Sequence, residues 1–173
     1  MVSLAKHIPP TLTLRLYDPT ATANLGVGKQ IVPFQRSHMY QIELKGFERE
    51  YLNAFPDYID HIANGADPDH SWTGIVYNKI VCIFGISMLW PGVGEMWMIP
   101  SVHISDSPIA VVRASKKIIS ETVTELDLWR LQVTVNVNNL QAFRFAKALG
   151  FNVECVMTKY GPEGHDYYMM FRR

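Results

Sequence analysis

The chain has 173 residues, 48% of them hydrophobic, and Lys+Arg and Asp+Glu both number 16, so its formal net charge is zero. That length suits one domain with room for a short extension. The neutral balance argues against a surface built for nucleic acid or an anionic membrane, and neither is expected as a partner.

Residues 1–30 differ in composition from the rest of the chain. They hold Pro9-Pro10, Pro19, a Thr/Ala run and "GVGK", with one strand-like stretch, "TLTLRLYD". The spacing GxxxxGK[ST] is absent, so "GVGKQ" is no phosphate loop. This segment reads as an N-terminal extension to a domain over 31–173. "MVSLAKHIPP" lacks the continuous apolar run of a signal peptide, and "IVCIFGISMLW" is too short to span a bilayer. The expected location is the cytoplasm or, for a phage-encoded chain, the virion.

"IVPF" predicts a short strand. Tyr40, Leu44, Phe47, Tyr51 and Phe55 recur at helical spacing, which predicts one helix capped by Ser37 and ended by Pro56. "DYIDHIAN" predicts a second, with Gly65 past its end. "SWTGIVYN" and "KIVCIFGISMLW" read as a hairpin turning at Asn78-Lys79, and "PGVG" leads into a third antiparallel strand, "EMWMIP". A helix starts at Pro108, a residue suited to a first helical position, with Ser107 placed to cap it. "LQVTVNV" alternates as a strand. "NLQAFRFAKALGF" predicts a helix closed by Gly150. "VECVMTKY" and "DYYMMFRR" are two last strands around "GPEGH".

Several constellations carry chemistry only weakly. Cys82 and Cys155 lie in apolar runs and read as core thiols. Asp57, Asp60, His61, Asp67, Asp69 and His70 cluster without a metal-site spacing, so no metal is assigned. His165-Asp166 sits at a turn with no nucleophile motif beside it. "RASKK" reads as a solvated helix face. Trp72, Trp90 and Trp97 fall in strands; Trp90 and Trp97 become interface anchors if both flank the "PGVG" turn at the surface.

The order strand, helix, helix, three strands, helix, strand, helix, two strands resembles the GNAT (Gcn5-related N-acetyltransferase) fold. This is an α+β (α/β) architecture with a mixed, mostly antiparallel sheet flanked by helices. Asn139, Ala142, Gly150 and Phe151 match a pattern common in that family. The resemblance implies that the helix after the central strand binds the diphosphate of acetyl-coenzyme A through Arg/Gln-x-x-Gly-x-Gly/Ala. Here those places hold His103, Asp106 and Pro108, with Ser107 between the last two. No glycine occurs between Gly94 and Gly150. Proline has no N–H to donate. A carboxylate about 5 Å from a phosphate repels it by roughly 3 kcal/mol at an effective dielectric near 20. A lost charge-assisted hydrogen bond adds about 1.5–3 kcal/mol. The tyrosine that many members use as general acid falls on Ala146.

The sequence therefore predicts a GNAT-like protein with a degenerate site and no cofactor. It would be a pseudoenzyme with protein partners in an assembly, and homo-oligomers are compatible with this. Its character is similar to GNAT-like internal virion proteins of short-tailed bacteriophages. The alternative is an active N-acyltransferase, with acetyl-coenzyme A held along Met98, Ile99 and Pro100 and Glu95 as base. Strands splayed around "GEMWMIP" would favour that alternative.

Overall fold

A computed structural model describes residues 28–173. The "TLTLRLYD" strand and the remainder of the extension through residue 27 lie outside the described residues. Among the described residues, seven strands form one sheet: β1 (Lys29–Pro33), β2 (Ser71–Val76), β3 (Lys79–Trp90), β4 (Val93–Pro100), β5 (Arg130–Asn136), β6 (Asn152–Met157) and β7 (Tyr167–Arg172). Their spatial order is β1-β2-β3-β4-β5-β7-β6. Of these pairings only β4–β5 is parallel. The mixed, mostly antiparallel sheet is the one the sequence predicts. β1 starts at Lys29, so the sheet takes in the last two residues counted with the extension.

Alternation sets the two faces. On one, Ile83 and Ile99 pack with Met39, Ile42 and Leu44 and with Leu52, Ile59 and Ile62 of helices α1 (Gly46–Ala54) and α2 (Tyr58–Gly65). On the other, Ile86, Met96, Leu131 and Met170 pack with Ile119 of α3 (Pro108–Glu125) and Ala146 of α4 (Leu140–Ala148). Cys82 and Phe84 join Val111 and Ala114 of α3 on that same face.

The single helix expected over 37–55 is instead two pieces, a 3₁₀ turn over Arg36–Tyr40 and then α1. Tyr40 and Phe55, two members of the predicted stripe, are exposed, whereas Met39, Ile42 and Leu44 are buried. Leu44 bridges backbone to backbone with Ser101 at the end of β4. The chain gives up helical hydrogen bonds there to pin this segment to the sheet. The β2–β3 turn is Tyr77-Asn78, both with positive φ (46° and 62°), the primed geometry that suits a two-residue hairpin. The sequence placed it one residue late, because Lys79 already pairs with Val76.

Helix α4 is fixed at both ends. The Asn139 side chain accepts from the Ala142 N–H at 3.0 Å, an N-cap. At the other end Phe151 N–H reaches Ala146 C=O and Gly150 N–H reaches Lys147 C=O, with Gly150 at φ +93°. This is a Schellman motif, which needs a left-handed residue. The quoted Asn…Ala…Gly-Phe pattern is thus a pair of helix caps plus Phe151, which is buried. β6, at the sheet's edge, is exposed along nearly all its length. Cys155 is therefore exposed rather than a core thiol, while Cys82 is buried.

Candidate functional site

The parallel pair is short. β4 meets β5 only at Val93↔Arg130, Gly94↔Leu131 and Glu95↔Gln132. Beyond Glu95, β4 continues with β3 as partner to Pro100, and β5 continues with β7 to Asn136. The two strands thus fork. Gly94 lets the closed end pack tightly, since a Cβ there would meet Ile86 and Leu128 side chains at 3.0 and 3.1 Å. Met98 and Phe145 each pack against both core clusters on the α3/α4 face, and so line the space behind the fork with apolar side chains. At the open end, residues 43–45 are tied to β4's end: Val102 N–H donates to Glu43 C=O at 3.0 Å. Lys45 Nζ then donates to Gln141 Oε1 of α4 at 2.9 Å. A strap from the β4 side to the α4 side crosses the mouth.

The fork leaves the β5-facing edge of Met96–Pro100 without a strand partner among the described residues. This is where the sequence placed Met98, Ile99 and Pro100 as cofactor contacts. Ile99 is buried on the α1/α2 face, so only backbone could serve there. Glu95 stands at the crotch, on the same face as Trp97 and Ile99. Burial pushes its carboxyl above the ordinary range.

The entrance to α3 is built differently from a phosphate cradle. A 3₁₀ turn over Val102–Asp106 precedes it, capped by Ser101, whose Oγ accepts from the His103 N–H at 3.0 Å. The His103 ring is held between two carboxylates, with Nε2 3.2 Å from Glu43 and Nδ1 3.6 Å from Asp106. The residue at the basic position is therefore engaged by acids, and the sequence had revealed only one of them. Ser107 takes the N-cap position without a side-chain hydrogen bond, contrary to expectation, because its unusual backbone (φ −150°, ψ 57°) accompanies the 3₁₀-to-α junction. Its carbonyl accepts from Val111 at 3.1 Å. Pro108 is the first helical residue and contributes no donor. Asp106 and Glu43 are 57% and 70% exposed, so water screens each one's repulsion of an anion towards ~1 kcal/mol. Missing donors then matter as much as charge.

Ala146, at the expected acid position, is buried in the core. The structure presents instead a group that the sequence reading missed. Glu48 on α1 lies one turn before Tyr51, which stacks on Tyr58 of α2 with ring centroids 5.7 Å apart. Burial pushes the Glu48 carboxyl up to about 7. Its charge, after burial itself, helps push the Tyr58 and Tyr167 phenols up to about 12. The Tyr167 hydroxyl is buried with no hydrogen-bond partner among the described residues. Tyr160 packs edge-on against its ring, and Gly161 approaches so closely that a Cβ would lie 2.1 Å from it. Tyr167 pairs with Asn136 at the open end of the fork. A helical carboxylate three residues before a stripe tyrosine was the available signal.

The remaining sequence candidates serve the scaffold. Asp60 is held by Arg36 and by Tyr40 at 2.7 Å, and His70 by Asp67 at 3.0 Å. Among the described residues no three metal-ligating side chains converge. Asp166 accepts from the Lys159 N–H at 2.8 Å, bracing the β6–β7 turn. Trp90 is exposed beside the Pro91-Gly92 turn, whereas Trp97 packs edge-on against Phe34, so the two do not flank that turn together. No helix among the described residues is long and apolar enough to cross a membrane.

No family model and no curated protein sequence matches the chain. Solved structures do. An acetyltransferase of the GNAT family from Bacillus anthracis superposes with a TM-score of 0.64 at 14% identity, covering 83% of this chain and 93% of that one. Ard1 from Thermoplasma volcanium gives 0.66 at 14% identity, over 84% and 97%. RimL, the ribosomal L7/L12 alpha-N-protein acetyltransferase, in complex with coenzyme A, gives 0.64 at 13% identity, over 86% and 95%. The chain has the GNAT acetyltransferase fold.

Proposed function

We propose that this protein is a GNAT-fold pseudoenzyme, a binding component of an assembly rather than an acetyl-transfer catalyst. One observation carries the reading: the α3 entrance holds Glu43, His103 and Asp106 in contact and begins on Pro108. An anion-binding helix start needs free N–H groups and a positive end, and this one is acidic and short of a donor. Ala146 in place of a phenol agrees with it. A place among the internal proteins of a phage virion rests on the sequence resemblance alone.

The forked β4–β5 pair favours a second reading, acyl transfer with acetyl-coenzyme A in the fork. Glu95 and Glu48, both raised by burial, would be its candidate bases.

Thermal denaturation with acetyl-coenzyme A separates the two. A ligand at about a hundred times its dissociation constant adds ~2.7 kcal/mol of stability. An unmoved melting temperature at millimolar ligand is expected. A clear rise, or acetylation of an amine by the purified chain, overturns the pseudoenzyme reading.

A further inference from the structure

At the pole opposite the fork's mouth, α3, the end of α4, the start of β6 and the end of β7 border an open groove of about 620 Å³. Its lining includes Lys116 and Ser120 from α3, Asn152 from β6, and Phe171, Arg172 and Arg173 at the end of β7. Among the described residues no acidic side chain lines it. On a chain of zero net charge this is a local concentration of cations.

Among the described residues no acidic side chain pairs with these cations, Lys116, Arg172 and Arg173, whereas Lys117 next door faces Glu121 at 3.9 Å. Arg172 is also held in place, because its Nη1 donates to Leu149 C=O at 2.8 Å. A guanidinium has five donors, so four remain. Asn152 accepts from Lys147 Nζ at 3.0 Å through its Oδ1. That bond occupies its acceptor and leaves its amide N–H groups to donate. The groove thus presents anchored donors and positive charge, with exposed Ala148 as its apolar lining; the Phe171 ring faces the other side of the sheet, under the Arg130 guanidinium at 4.8 Å.

Fixed guanidinium and amide donors beside a flexible ammonium suit a phosphate. The volume is in the range of small-molecule sites and leaves room for an organic body. We propose that this groove binds an organic phosphate, a small molecule bearing a phosphomonoester on a partly apolar body. The site is separate from the fork and does not depend on whether the fork is catalytic.

The test is amide chemical-shift mapping of the full chain, titrated with AMP, with adenosine and with a hexaglutamate peptide. AMP is expected to shift Lys116, Ser120, Gly150 and Asn152 saturably, and adenosine to leave them in place. Lys116→Glu, an exposed change whose spectrum reports its own folding, should weaken AMP by at least about tenfold. Lys79→Glu, the same charge reversal at the exposed β2–β3 turn away from the groove, should leave AMP binding unchanged. The inference is overturned by no saturable shift up to ~10 mM AMP or by adenosine binding equally well. It is also overturned by shifts confined to 101–110, or by the peptide binding the groove while AMP is silent.

Discussion

The two lips of the fork treat charge in opposite ways. On the α3 lip, Glu43 and Asp106 are exposed, and both are in contact with His103. On the α4 lip, where Lys45 ties the start of α1 to Gln141, Glu48 of α1 is partly buried and the Tyr167 hydroxyl of β7 is buried without a partner among the described residues. Exposed, paired carboxylates cost the fold little and deter an anion. A buried hydroxyl without a partner and a carboxylate partly removed from water both cost the fold stability. The lip at the α3 entrance thus carries its charge at the surface, while the other holds it partly buried.

The largest effect is expected where this contrast has its foundation. Phe151→Ala removes a side chain that anchors the α4 lip and is 1% exposed. It should cost ~3–5 kcal/mol in urea denaturation, and a loss below ~1 kcal/mol would mean the lip is not built on this core. Next comes pH. The Glu48 carboxyl is pushed from 4.5 to about 7 in the fold. The folded state therefore holds the proton more tightly than the unfolded chain. This stability is fully present below the unfolded value, falls as pH rises, and is gone once pH passes the folded value. Glu48→Gln should flatten that fall and make the variant the more stable protein at pH 8, by up to ~3 kcal/mol. Equal slopes for the two proteins would show the carboxylate to be solvated. Glu95 shifts in the same direction and leaves a residual slope.

Smaller changes compare the helix starts directly. Asn139→Ala deletes the α4 cap bond and should lower stability by ~1 kcal/mol. Ser107→Ala deletes no cap bond and should stay within ~0.5 kcal/mol. Melting curves of the two variants check the contrast, and similar losses would refute the cap assignment. Finally, Asp106→Gly with Pro108→Ala restores a donor and removes a carboxylate. If the α3 lip alone excludes the diphosphate, acetyl-coenzyme A should begin to raise this variant's melting temperature.

Strand order, the α4 caps and the altered α3 junction were legible in the sequence because each is local. Asn139, Gly150 and Pro108 act through their own backbone, and alternation along "LQVTVNV" needs no partner to be seen. What escaped notice is tertiary. The stripe from Tyr40 to Phe55 suggested one helix, but burial of Met39, Ile42 and Leu44 against β3 and β4 outweighed its periodicity. Glu43 reaches His103 across 60 residues of sequence. After burial, the Glu48 charge bears on Tyr58 of α2 and Tyr167 of β7, three residues that no spacing rule brings together.

The three-residue parallel seam has a mechanical consequence. β1–β4 and β5–β7 are each knit by long antiparallel ladders, yet Val93–Glu95 against Arg130–Gln132 is all the strand pairing that joins them among the described residues. Such a sheet behaves as two stiff wings on a short spine. Bending should concentrate at that spine, and Lys45–Gln141 is the latch at the far end of the opening.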